Sequence, residues 1–182
     1  VGTLTPFRIY PLTADYSLWA GGSIAYDRVR ITNSPADAGP YAWDFASASS
    51  GPGTWRAPLH GSFAGSTVNI SGGQATVTGS GIPAMANFDL AMDAGTYRWL
   101  AMDLDLQTSD ASAVQVQVFA SKDGASFGAF RQDYNIASNI GMNTYVYDLA
   151  SAPEDGSWDG YPDGLMMAFN NGNFTQALVD NV

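Results

Sequence analysis

Between residues 99 and 119 the side chains alternate with a period of two, and no helical period appears elsewhere in the chain to compete with it. Leu100, Met102, Leu104 and Leu106 share one parity, against Ala101, Asp103, Asp105 and Gln107. Val114, Val116 and Val118 likewise oppose Gln115, Gln117 and Phe119. Such runs are half-buried strands of an antiparallel sheet, apolar toward a core and polar toward water. Shorter runs at 145–149, 165–169 and 176–182, separated by Gly, Asn, Asp and Pro, extend the pattern. Residues 66–79 predict a hairpin about Gly72-Gly73, residues 88–92 a further short strand, and Lys122-Asp123-Gly124 a tight turn into 126–136. The chain is therefore predicted to be all-β.

Its 182 residues suffice for one ordinary domain with a packed core, or for one domain with a substantial extension. Cysteine is absent, so neither a disulfide framework nor thiol chemistry is available. The net charge is −10, with sixteen Asp and one Glu against seven Lys and Arg. That balance argues against nucleic acid and against anionic membrane surfaces, both of which require clustered cations. No run of about 18 apolar residues predicts a transmembrane helix. Sparse charge (13%), five Trp and nine Tyr suit a secreted, extracellular all-β module. Val1 is not a natural start, which suggests a mature or excised segment.

Three regions are expected. Residues 34–40 form a linker rich in Pro, Ala and Asp, and residues 41–182 form the module. Residues 1–33 form an N-terminal arm or the closing strands of a preceding repeat. The run IAYDRV at 24–29 resembles ALVDNV at 177–182, and FRIYP at 7–11 parallels LMMAF at 165–169. Two ordinary strands sharing a common pattern would look the same.

Three stretches carry a family resemblance: YAWDFASASSGPGTW at 41–55, the central YRWL…VQVQVFASKDG, and the closing YVYDLA…SWDGYPDGL…ALVDNV. Together they resemble the jelly-roll carbohydrate-binding modules appended to secreted glycoside hydrolases and polysaccharide lyases. The resemblance implies an antiparallel β-sandwich of jelly-roll type, a non-catalytic role in binding polysaccharide, and an extracellular, bacterial setting. It also implies a structural Ca2+ near the opening and closing strands, with Asp44 and Asp180 at the matching positions. Ala46 stands where the pattern carries Glu, which removes one expected calcium ligand.

Catalysis has little to draw on. His60 and Glu154 are the sole residues of their types, and His60 has no His, Cys or acidic partner at zinc spacing. Asp103 and Asp105 lie two apart on one strand face, near the spacing of a glycosidase pair, but such pairs are ordinarily solvated surface. The chain is expected not to be an enzyme. Sugar binding needs aromatic platforms and hydroxyl partners. The loop aromatics Trp55, Trp158 and Tyr161 are candidates for the first, and Asp103, Asp105, Gln115 and Gln117 for a sheet-face site. Trp158 fits a structural plug as well as a platform, Trp43 and Trp99 are expected in the core, and Tyr145 and Tyr147 fit either core or platform. The alternative function is a structural repeat of a surface or filament assembly, residues 1–33 pairing with a neighbouring copy or domain.

Overall fold

A computed structural model describes residues 41–46, 55–58, 61–88, 90, 92–122, 127–151 and 153–182. The expected arm, the linker and the possible earlier repeat at 1–40 lie outside the described residues, as do Asp123 and Gly124 of the predicted turn.

Eleven strands make up the described fold: β1 (Trp55–Arg56), β2 (Ser66–Ser71), β3 (Gln74–Gly79), β4 (Ala84–Asn87), β5 (Trp99–Thr108), β6 (Val114–Ser121), β7 (Phe130–Ile136), β8 (Asn143–Asp148), β9 (Asp155–Gly156), β10 (Gly164–Asn170) and β11 (Phe174–Asp180). They form a six-stranded sheet, β1-β4-β10-β6-β7-β9, and a five-stranded sheet, β2-β3-β11-β5-β8. Every pairing is antiparallel. Four consecutive pairs, β3/β4, β5/β6, β7/β8 and β10/β11, each place one strand in each sheet. Their order across one sheet, β4-β10-β6-β7, matches that across the other, β3-β11-β5-β8. A ribbon wound in this way is a jelly roll.

The alternation sets which side chains fill the space between the sheets. Leu100, Met102, Leu104 and Leu106 meet Val114, Val116 and Val118 there, with Met85, Met167 and Phe169 from the centre of the larger sheet. The predicted hairpin at 66–79 is present, turning through Gly72 and Gly73 at φ 63° and 83°, a backbone region that glycine enters without strain. The strand expected at 88–92 lies instead at β4. Beyond it, the amides of Leu90 and Met92 donate to the carbonyls of Asp163 and Pro162, at 3.0 Å each, so this segment pairs without regular strand geometry.

On the outer face of the larger sheet, Ala84, Ala86, Met166 and Ala168 form a second apolar cluster capped by Phe63, Ile82, Phe88, Phe119 and Phe127. Among the described residues no helix is long and apolar enough to cross a membrane.

Candidate functional site

Several predicted binding residues are redistributed by the fold. Trp55 is buried in β1, its ring packed edge-on to Trp43 with centroids 5.4 Å apart, so it offers no surface to a ligand. Its ring partners, Trp43 and Phe45, lie about ten residues away in sequence, beyond what local pattern carries. Trp158 is buried too: its Nε1–H donates to the Tyr97 carbonyl at 2.7 Å, and its ring meets Phe130 edge-on. It acts as a plug. Tyr161 is exposed in the loop before β10.

The four polar strand residues do not form one site. Asp103 and Asp105 project from the outer face of the five-stranded sheet, Gln115 and Gln117 from the outer face of the six-stranded sheet. The whole sandwich separates the two pairs. On the larger sheet, Gln117 Nε2–H and Asn170 Nδ2–H both donate to Gln115 Oε1, at 2.9 and 3.2 Å. On the smaller sheet, Asp105 accepts from Gln107 at 3.2 Å.

Trp99 departs furthest from its expected place. Expected in the core, it is 64% exposed. It opens β5 with the parity of Asp103 and Asp105, so the alternation itself marked it as outward. Beside it, at the end of the sandwich where β5 begins and β11 ends, lies an open cavity of about 520 Å3. Tyr41, Asp44, Tyr97, Trp99, Trp158 and Asn181 are among the residues that line it. A two-way backbone bridge between Trp43 and Val182, at 2.8 and 3.0 Å, carries the opening segment across to the chain end and brings Asp44 and Asn181 to this cavity.

The polar groups at this end are held in place. Asp103 accepts from Thr144 Oγ1–H at 2.6 Å and from Asn181 Nδ2–H at 2.9 Å. Both bonds favour the ionised carboxylate and hold its pKa below the ordinary value of 3.8. Arg98 pairs with Asp148 through both carboxylate oxygens, and its guanidinium lies 5.6 Å from the Trp99 ring centroid. This fork lowers the Asp148 pKa and raises that of Arg98. Because the indole is flanked by a cation already neutralised by its own carboxylate, the rim carries no unpaired positive charge from Arg98.

The proposed metal residues show local roles. Asp44 Oδ1 accepts from the Ala46 amide at 3.0 Å, and Asp180 Oδ1 from the Asn181 amide at 2.8 Å. Among the described residues no group of three or more His, Asp or Glu side chains is placed to share a metal ion. Tyr145 and Tyr147 resolve toward the core side: Tyr147 stacks on Tyr134 with centroids 3.6 Å apart.

Solved carbohydrate-binding modules are similar to this chain. One such structure is a family 29 carbohydrate-binding module, 14% identical, with a TM-score of 0.44 over 64% of this chain and 70% of that one. Another is the family 11 module of Clostridium thermocellum in complex with a β-1,3-1,4-mixed-linked tetrasaccharide, 14% identical, with a TM-score of 0.44 over 64% and 78%. A third, the non-crystalline-cellulose-specific module CBM28, is 14% identical, with a TM-score of 0.45 over 70% and 85%. No protein-family model matches the sequence, and no curated protein matches it.

Proposed function

We propose that this chain is a non-catalytic module that binds a neutral polysaccharide at the Trp99 end of the sandwich. The observation that carries the reading is the indole of Trp99, 64% exposed at the mouth of a cavity of about 520 Å3. An exposed indole beside a cavity offers a flat apolar platform, and the apolar face of a pyranose ring matches it in size and flatness. Asp44, Asn181 and the Asp103–Thr144 pair lie within the same end and supply acceptors and donors for sugar hydroxyls. Their hydrogen bonds are already formed, so little side-chain freedom is lost when a sugar binds. A cavity of this size takes about two or three sugar rings. Net charge of −10 and an unneutralised Asp103 repel uronates and sulfated glycans, which selects neutral chains.

The resemblance to secreted modules and the sparse charge of the chain support an extracellular setting, and the resemblance alone a bacterial one. The same reading includes a structural Ca2+ held by Asp44 and Asp180. Calcium is expected to raise the melting temperature of the native chain and not that of Asp180→Asn; equal melting curves with calcium and with a chelator would sink that part.

The binding test is a titration of Trp fluorescence with soluble neutral glucans and mannans, alongside uronans. Saturable change with a neutral glycan supports the reading, and no response across the whole panel overturns it.

A further inference from the structure

The cavity beside Trp99 has a mouth and a floor of different chemistry. Asp44, Trp99, Ala101 and Asn181 stand exposed at the mouth. Trp43, Met92, Leu100, Leu149, Trp158 and Val182 line the floor, and each is at most 9% exposed. Two half-buried tyrosines, Tyr41 and Tyr97, add to the wall, their rings edge to face with centroids 4.8 Å apart.

The donors of this floor are already engaged within the protein. The Trp43 and Val182 amides donate to each other's carbonyls, at 2.8 and 3.0 Å. The Met92 amide donates to the Pro162 carbonyl and the Leu149 amide to the Arg98 carbonyl, at 3.0 Å each. Trp158 Nε1–H is taken by the Tyr97 carbonyl at 2.7 Å. A sugar hydroxyl drawn down onto these groups loses its water and meets none of these donors in return, which is unfavourable. The polar side chains Asp44 and Asn181 serve the mouth. The floor therefore favours an apolar group, and the mouth a sugar.

On the reading that Trp99 is the sugar platform, on which this rests, we propose that the glycan bound here carries a neutral aromatic substituent. Its aryl ring enters the cavity while the sugar that bears it lies on Trp99. An aromatic acid esterified to a sugar hydroxyl, or a phenol in glycosidic linkage, has this chemistry. Of the rings that a cavity of about 520 Å3 holds, the innermost is then an aryl ring and the outermost a sugar. Besides Trp99, the side chains of Tyr41, Trp43, Tyr97 and Trp158 wall the cavity. An aryl ring packed edge to face against such walls gains more than its buried area alone supplies. An alkyl chain fills the same volume without those ring contacts. Charge narrows the occupant further. The net charge of −10, and Asp103 bonded at this end by the uncharged Thr144 and Asn181, repel a fatty acid or a free aromatic carboxylate. An ester or a glycoside bears no charge and meets no such barrier.

The test compares methyl, octyl and phenyl β-glycosides of glucose, mannose and xylose on the full native chain. In isothermal titration the phenyl glycoside of at least one sugar is expected to bind about tenfold tighter than its methyl counterpart, and tighter than its octyl counterpart. Saturation-transfer NMR is expected to mark the phenyl protons above the sugar protons. Trp99→Ala is expected to weaken the methyl and phenyl glycosides alike, because it removes the sugar platform. Leu149→Trp, which fills part of the floor, is expected to lower the phenyl-to-methyl ratio; far-UV circular dichroism shows whether each variant is folded. Three outcomes on the native chain overturn the proposal: phenyl and methyl glycosides of equal affinity, an octyl glycoside as tight as the phenyl, or no phenyl binding at millimolar concentration. Each of these leaves Trp99 as a platform for unsubstituted polysaccharide untouched. Phenyl glycosides that bind Trp99→Ala as tightly as the native chain sink the platform itself, and the proposal with it.

Discussion

Trp99→Ala gives the sharpest test of the binding site. Enclosing an aromatic side chain removes about 150–250 Å2 from water, so an indole 64% exposed still offers roughly 130 Å2 to a ligand. A sugar ring laid on one face covers about half of that. At ~25 cal/mol per Å2, roughly 65 Å2 is worth about 1.6 kcal/mol, or about 15-fold in Kd. Because the ring touches little of the core, folding stability is expected to change by less than about 0.5 kcal/mol. The assay is isothermal titration with whichever neutral glycan the fluorescence panel identifies, paired with urea denaturation of the same samples. Trp158→Ala is the contrast. That ring is buried and bonded to the Tyr97 carbonyl, so its loss is expected to cost about 3–5 kcal/mol of stability. If Trp99→Ala stays folded and its Kd moves by less than twofold, the indole is not the platform and the reasoning fails.

Gly156 has φ 67°, and a Cβ there would sit 2.1 Å from the Ala129 carbonyl oxygen. Gly156→Ala is therefore expected to lower stability by about 2 kcal/mol or more, seen as a lower urea midpoint with an unchanged slope; an unchanged midpoint would show that β9 does not hold the edge. Burial, and after it the charges that Tyr147 and Asp148 carry, push the Tyr134 hydroxyl pKa well up, and burial with the neighbouring Tyr145 pushes Tyr147 up to about 12, from an ordinary 10.0. A folded pKa raised in this way contributes stability that is complete below pH 10 and is lost as pH climbs through the folded values. Absorbance at 295 nm should accordingly show two of the nine tyrosines ionising late and together with alkaline unfolding. A single reversible wave near pH 10, with circular dichroism intact, would contradict the packing.

The alternating strands determined a good deal by themselves. Parity along β5 and β6 specified which side chains enter the core, and Trp99, expected in the core for its size, follows the same parity to the surface beside Asp103 and Asp105. Gly72-Gly73 determined a hairpin, since its positive φ values are a local demand. Parity says only inside or outside; it does not say which of two outsides. That choice belongs to the hydrogen-bonded neighbours of each strand, and those lie far off in the chain: β5 pairs with β11 and β8, β6 with β10 and β7. Tertiary structure thus placed Asp103 and Asp105 on one face and Gln115 and Gln117 on the other. It also buried Trp55 against Trp43, and brought Asp44 and Asn181 from opposite ends of the module to one cavity. Local sequence carries the period of a strand because sterics act between neighbours, whereas sheet membership is set by contacts that exist only once the ribbon has wound.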